Sequence, residues 1–174
     1  PMLTVEIGQG VTQVVLEQFG LRPGMEESRI GQVFGASAFL GLSGGALAAW
    51  LGNRFGNLRP VVVGIVFNVV FASTLALGTI PFLFGASYLG WNMAYYFLVP
   101  YMLGFLAQLD DQGRWAVAAD AVWWLGAAPG AAVGGVLVEM GGFTALAALA
   151  PVTGIVCLLI LVRTIRRFTA TQRP

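Results

Sequence analysis

The sequence predicts an all-α fold: a polytopic membrane helix bundle of about six transmembrane helices, arranged as two inverted three-helix repeats. Three observations carry that expectation. Only 10% of the 174 residues are charged and the mean hydropathy is +0.81, whereas soluble domains carry roughly 25% charged residues. Residues 30–53, 60–109, 121–138 and 140–162 contain no Asp, Glu, Lys or Arg. Glycines recur at near-helical spacing in the segment that stands second in each triple. A bilayer crossing takes about 20 mostly apolar residues, so the expected segments are 1–19, 30–52, 60–78, 82–108, 115–138 and 142–162.

Segment 1–19 is the least apolar. Glu6, Gln9, Gln13 and Glu17 fall at spacings of three and four, which is one helix face. Polar and ionisable groups inside a membrane face a cavity or a partner, so Glu6, Gln9 and Gln13 are expected to line a substrate or proton pathway. A helix lying at the interface, or the ragged end of a truncated chain, is the alternative. No positively charged stretch precedes an apolar core, so no signal peptide is visible, and the first residues read as the middle of a longer protein.

Segment 30–52 holds Gly31, Gly35, Gly41 and Gly45. Small residues four apart let neighbouring helix backbones approach closely, so Gly31 and Gly35 are expected at a packing face. Gly41-Leu42-Ser43-Gly44-Gly45 also fits the G-x-S-x-G pattern of serine hydrolases, but the chain has no histidine to take the serine proton. Helix packing explains those residues better, and no enzyme is expected.

Segment 60–78 begins at Pro60, a residue suited to a first helical turn. The charge-free run to Leu109 is too long for one crossing and breaks at Gly78-Thr79-Ile80-Pro81, a turn sequence. Segment 82–108 then places Tyr88, Trp91, Asn92 and Tyr95 on one face, with Tyr96 beside them. Aromatic residues usually anchor membrane helices at their ends. These lie well inside, which suggests a binding face for an organic substrate; buried packing is the alternative. Pro100 is expected to interrupt this helix.

Segment 115–138 repeats the glycine stripe as Gly126, Gly130 and Gly134 and carries Asp120 about one and a half turns in. Asp120 is expected either in an ion pair, with Arg114 or with another helix, or as a proton carrier. Gly141 and Gly142 make the last outer turn before segment 142–162. The glycine-rich members of the two triples run in opposite directions, which makes the repeat inverted, an arrangement known in transporters.

Basic residues favour the cytoplasmic side of short loops. With the 53–59 loop inside, Arg54, Arg59, Arg114, Arg163, Arg166, Arg167 and Arg173 share that side, and only Arg22 and Arg29 lie opposite, near Glu26 and Glu27. Six crossings then leave both termini in the cytoplasm. A net charge of +1 without clustered basic residues excludes a nucleic-acid footprint. The lone Cys157 and the absence of histidine leave no disulfide framework and no Cys/His metal site, and no cofactor is expected.

Asn53-Arg54-Phe55-Gly56-Asn57-Leu58-Arg59-Pro60 resembles the cytoplasmic loop motif of the major facilitator superfamily, which reads Gly, three residues, Asp-Arg, any residue, Gly, then basic residues. Ala49 stands at the leading Gly and Asn53 at the Asp, so Asn53 can hydrogen-bond but not form the motif's charge pair. Gly56 permits the reversal, while Arg54 and Arg59 stay in water at the helix ends. Asp110-Asp111-Gln112-Gly113-Arg114 is similar to the family's other inner loop, and 126–135 to its glycine-rich penultimate helix. WNMAYYFLVPYMLGFLAQLDDQGRWAV, residues 91–117, resembles the tenth helix and following loop of bacterial members.

Over nearly the whole chain the resemblance is to the C-terminal six-helix half of such a transporter. It implies secondary active transport of a small solute by alternating access, with proton coupling as one route, in a bacterial inner (plasma) membrane. The lipid bilayer and a missing N-terminal half or second subunit would be the partners. Two alternatives remain open: a non-transporting membrane interaction or scaffold subunit, and a small homodimeric transporter.

Overall fold

The computed structural model describes residues 2–56, 58–107 and 114–171, without the side chains of 105, 115–117, 120 and 165–171. All regular structure among the described residues is helical. In order, the elements are α1 (Met2–Gln13), α2 (Leu16–Leu21), α3 (Glu27–Leu51), α4 (Leu58–Leu77), α5 (Pro81–Ala107) and α6 (Arg114–Thr171). Three helical stretches are long and apolar enough to cross a membrane: Glu27–Leu51, Leu58–Leu77 and Ala121–Thr164.

The expected first segment is split. α1 has 12 residues, about 18 Å of helix at 1.5 Å per residue, short of the roughly 30 Å hydrocarbon core. Its end coincides with Thr12, whose hydroxyl donates to the Gly8 carbonyl at 3.1 Å, a bond that bends helices. β-Branched Val14 and Val15 follow, and α2 carries the chain on.

Pro100 does not interrupt α5, which runs through it to Ala107. The proline frees one carbonyl, and membrane helices accommodate that. At the end of α3, Gly52 (φ 49°) and Gly56 (φ 70°) both adopt positive φ, so the reversal rests on two glycines where the motif suggested one. Among the described contacts of this loop, the Arg54 guanidinium lies 5.6 Å from the Trp50 ring centroid. The hydroxyl of Tyr101 lies 3.1 Å from the Gly52 carbonyl, which satisfies the exposed end of α3.

Close contacts fix the direction of each helix. Along α1, Glu6, Ile7 and Val11 meet Gly126, Gly130 and Gly134 in turn, so α1 and the first arm of α6 are parallel. Phe19, just beyond α1, meets Phe143, whereas Gly8 meets Thr153. The second arm therefore runs the other way. α6 is thus two antiparallel arms, 114–141 and 143–171, and the chain reverses at Gly142 with φ 64°. Phe34–Tyr88, Ser37–Asn92 and Gly41–Tyr96 make α3 parallel to α5. Phe71–Gly90 and Gly64–Leu98 make α4 antiparallel to α5.

Successive segments therefore alternate in direction. One end of the bundle collects the 52–56 turn, Arg59, Arg114 and Arg163; the other collects Arg22 and Arg29. The core has two parts, one around Phe19, Ile30, Leu75, Phe84 and Trp91 near the Arg22 end, the other around Val61, Ile65, Leu98, Tyr101 and Cys157 near the opposite end.

Arg22 ties the first end together. Its guanidinium donates to the carbonyls of Ala76 at 2.8 Å and Gly78 at 3.0 Å, and lies 4.6 Å from the Phe143 ring centroid. A cation at the C-terminal carbonyls of α4 also meets the negative end of the helix dipole. Because Arg22 is on the surface, Arg22→Ala is expected to cost about 1 kcal/mol, a fall of roughly 2–4 °C in the thermal midpoint for a chain of this size. Differential scanning fluorimetry in detergent checks this.

Close packing follows glycine, but not at every expected glycine. On the first arm of α6, a Cβ at Gly126 would lie 2.5 Å from the Glu6 Cβ and one at Gly134 would lie 2.6 Å from the Val11 carbonyl; one at Gly130 would strike the Ile7 carbonyl. In α3 the approach to α5 occurs at Gly41 and Gly44. Gly31 and Gly35 are not packing positions: nothing lies within 4 Å of a Cβ built on either. They sit on the side of α3 turned away from α5, an orientation set by partners distant in sequence.

Candidate functional site

The glycine stripe of α6 draws α1 inward and closes its polar face. Glu6 becomes 1% exposed and Gln9 7% exposed. From α5, the Tyr95 hydroxyl donates to the Glu6 carboxylate, 3.1 Å from Oε1 and 3.3 Å from Oε2. No other hydrogen bond to this carboxylate is formed among the described residues. One turn along α1, Gln9 has both side-chain atoms, Oε1 and Nε2, buried without a hydrogen-bond partner. Gln13 and Glu17 are exposed.

The aromatic face expected on α5 divides among α3, the core and α1. Tyr88 packs against Phe34 at 5.0 Å between ring centroids and against Phe84 at 6.2 Å. Trp91 is a core residue. Asn92 turns to α3, where its Nδ2 donates to Ser37 Oγ at 3.0 Å and to the Ser37 carbonyl at 3.2 Å. Only Tyr95 meets the polar face of α1. Residues one turn apart on a helix share a stripe, but a stripe this wide touches more than one neighbour. The side chain of Asp120 lies outside the described residues, as do Asn57 and the Asp110–Gly113 loop.

Beside the Glu6–Tyr95 pair lies a cleft of about 290 Å³ between α1, α5 and the first arm of α6. Met2, Tyr95, Tyr96, Val99, Leu103, Ala119 and Trp123 line it. Tyr96 and Trp123 are 43% and 41% exposed, so the cleft opens to the outside of this chain. Sequence reasoning missed Trp123; its signal was the Trp123-Trp124 pair on the same helix as Asp120. A smaller cavity, about 30 Å³, lies between α1, α4 and the second arm of α6 and is bordered by Thr4, Thr12, Asn68 and Thr153. It is large enough for one water. Three of its polar groups already donate to main-chain carbonyls.

Magnitudes rank these features. A carboxylate at the centre of a membrane helix costs about 3 kcal/mol on insertion scales. A single hydrogen bond to a charged group returns about 1.5–3 kcal/mol. The Tyr95 hydroxyl can therefore offset much of the burial of an ionised Glu6 but supplies no counter-ion, and none is found among the described residues. Asn92 and Ser37, neutral and mutually bonded, need nothing further. Among the described residues, Glu6 and Gln9 are thus the polar groups whose bonding is incomplete, and Tyr95, the partner of Glu6, lines the open cleft. Compared with protein-family models, curated proteins and solved structures, the chain matches none of them.

Proposed function

We propose that this chain is one six-helix half of a secondary active transporter of the major-facilitator type. It crosses the bacterial inner membrane six times, with both termini in the cytoplasm and the Arg54–Arg59 loop inside. The observation that carries the reading is a symmetry in the packing. Write the chain as two triples, the first being the α1–α2 segment, α3 and α4, the second α5 and the two arms of α6. Exchanging corresponding members turns α1 against the first arm into α5 against α3, both joined through glycines. The same exchange turns α4 against α5 into the second arm against α1, which meet at Thr153 and Gly8, and leaves α4 against the second arm, which meet at Val69 and Gly154, unchanged. Corresponding members run in opposite directions, which is what an inverted repeat requires.

Solute binding in such a protein takes place near the midplane between two halves, each supplying one wall. The cleft beside Glu6 and Tyr95 suits that role, because it is open on one side and faces away from the rest of the chain. A second six-helix half supplies the opposite wall, and rocking of the two gives alternating access. Proteoliposomes holding this chain alone are expected to show no saturable uptake across a panel of cationic, neutral and anionic solutes. Vesicles that also hold an adjoining six-helix half encoded with it are expected to take up at least one solute. Saturable uptake by the chain alone would overturn the half-transporter reading, and so would an inert pair.

A further inference from the structure

We propose that the cleft between α1, α5 and the first arm of α6 selects small organic cations, amines or quaternary ammonium and phosphonium ions bearing an apolar body. The inference rests on the transport reading for its biological use, but not for its chemistry.

Glu6, which accepts from the cleft-lining Tyr95, is an acid that can supply only a negative charge, and its described partner is a neutral hydroxyl. None of the described residues lining the cleft is basic, so among them an anion would find no compensating cation. Three of the lining side chains, Tyr95, Tyr96 and Trp123, are aromatic, and ring faces attract cations, more strongly when shielded from water. The Tyr95 phenol donates its proton to a carboxylate, which enriches its ring in electrons and strengthens that attraction. Tyr95 thus relays the charge of the enclosed Glu6 to the cleft, and the cation need not displace the hydrogen bond.

The remaining walls, Met2, Val99, Leu103 and Ala119, are apolar. They suit hydrocarbon around the charge rather than a hydrated ion or a sugar. The volume of about 290 Å³ is at the lower edge of small-molecule sites, and the opposite half would close it.

Tetraphenylphosphonium and tetraphenylborate have the same shape and opposite charge, which makes them the direct test. Binding of each to the purified chain in detergent is measured by calorimetry and by quenching of tryptophan fluorescence. The phosphonium is expected to bind saturably and the borate neither to bind at the site nor to compete. Glu6→Gln keeps an acceptor for Tyr95 and removes the charge; it is expected to weaken phosphonium binding at least tenfold. Trp123→Leu, at the exposed mouth of the cleft, is expected to weaken it severalfold with an unchanged thermal midpoint, so the test survives if Glu6→Gln folds poorly. Equal binding of the borate, or undiminished phosphonium binding in both variants, would overturn the proposal. Cation binding by a chain whose assembled pair moves nothing would sink the transport reading alone. Uptake restricted to anions or neutral solutes would sink the cation class alone.

Discussion

Replacing Gly130 with leucine is expected to pry α1 from the first arm of α6 and lower the thermal midpoint by roughly 6–12 °C, the equivalent of about 3 kcal/mol of overpacking in a chain of this size. The reason is what the new side chain meets. A Cβ at Gly130 would strike the carbonyl of Ile7, and flanking contacts at Gly126 and Gly134 hold the same helix. Backbone cannot rotate aside as a flexible side chain can, so the helices must separate. Separation would also expose Glu6 and Gln9, which depend on this contact for their burial. Gly135→Leu is the control: nothing lies within 4 Å of a Cβ there, and the midpoint should hold within about a degree. The pair repeats on α3, where Gly44→Leu should destabilise and Gly31→Leu should not. Equal midpoints for Gly130→Leu and Gly135→Leu would mean that the stripe is not where the helices meet.

The second large effect is functional. Under the proposed transport function, Glu6→Gln is expected to reduce uptake by the chain paired with a second half to background, a loss on the order of a hundredfold, while the protein remains folded and inserted. Glutamine preserves the volume and an oxygen for the Tyr95 hydroxyl, so packing against Gly126 should survive. What disappears is the ionisable group enclosed between α1 and α5 among the described residues, on which exchange of a proton or a cationic solute would turn. Gln13→Glu or Glu17→Gln, changes at exposed positions on the same helix, are expected to leave uptake within about twofold. Uptake is measured in proteoliposomes at matched protein density. Wild-type rates in Glu6→Gln would remove this carboxylate from the transport cycle.

Much of the architecture was legible because it is one-dimensional. Charge-free runs announce helices, and Pro60, Gly56 and Gly142 mark ends where a turn needs their special backbone, whereas Gly52 went unnoticed because only the structure shows its positive φ. The arginines at the 53–59 turn and at the boundaries of α6 likewise mark one end. The rest depends on which neighbour a face meets. Gly31 and Gly130 look alike in a spacing of four, yet only Gly130 opposes a backbone, because α3 and α6 are rotated differently toward their partners. Tyr88 and Tyr95 share a stripe, and packing sends one into the core and the other to Glu6. The break after α1 hides in Thr12, whose hydroxyl can equally face a neighbour or its own helix. Arg22 looked like a loop charge and is the clamp on α4; no pattern in the sequence couples residue 22 to residue 76.

The reading as a whole stands on the bundle crossing a membrane with the Arg54 end in the cytoplasm. Single cysteines placed at Ser28 and at Phe55, in a chain with Cys157→Ser, test it through labelling by a membrane-impermeant maleimide on intact cells. The account predicts that the cysteine at 28 is labelled at once and the cysteine at 55 only after permeabilisation. Labelling of both from outside, or of 55 alone, would contradict it.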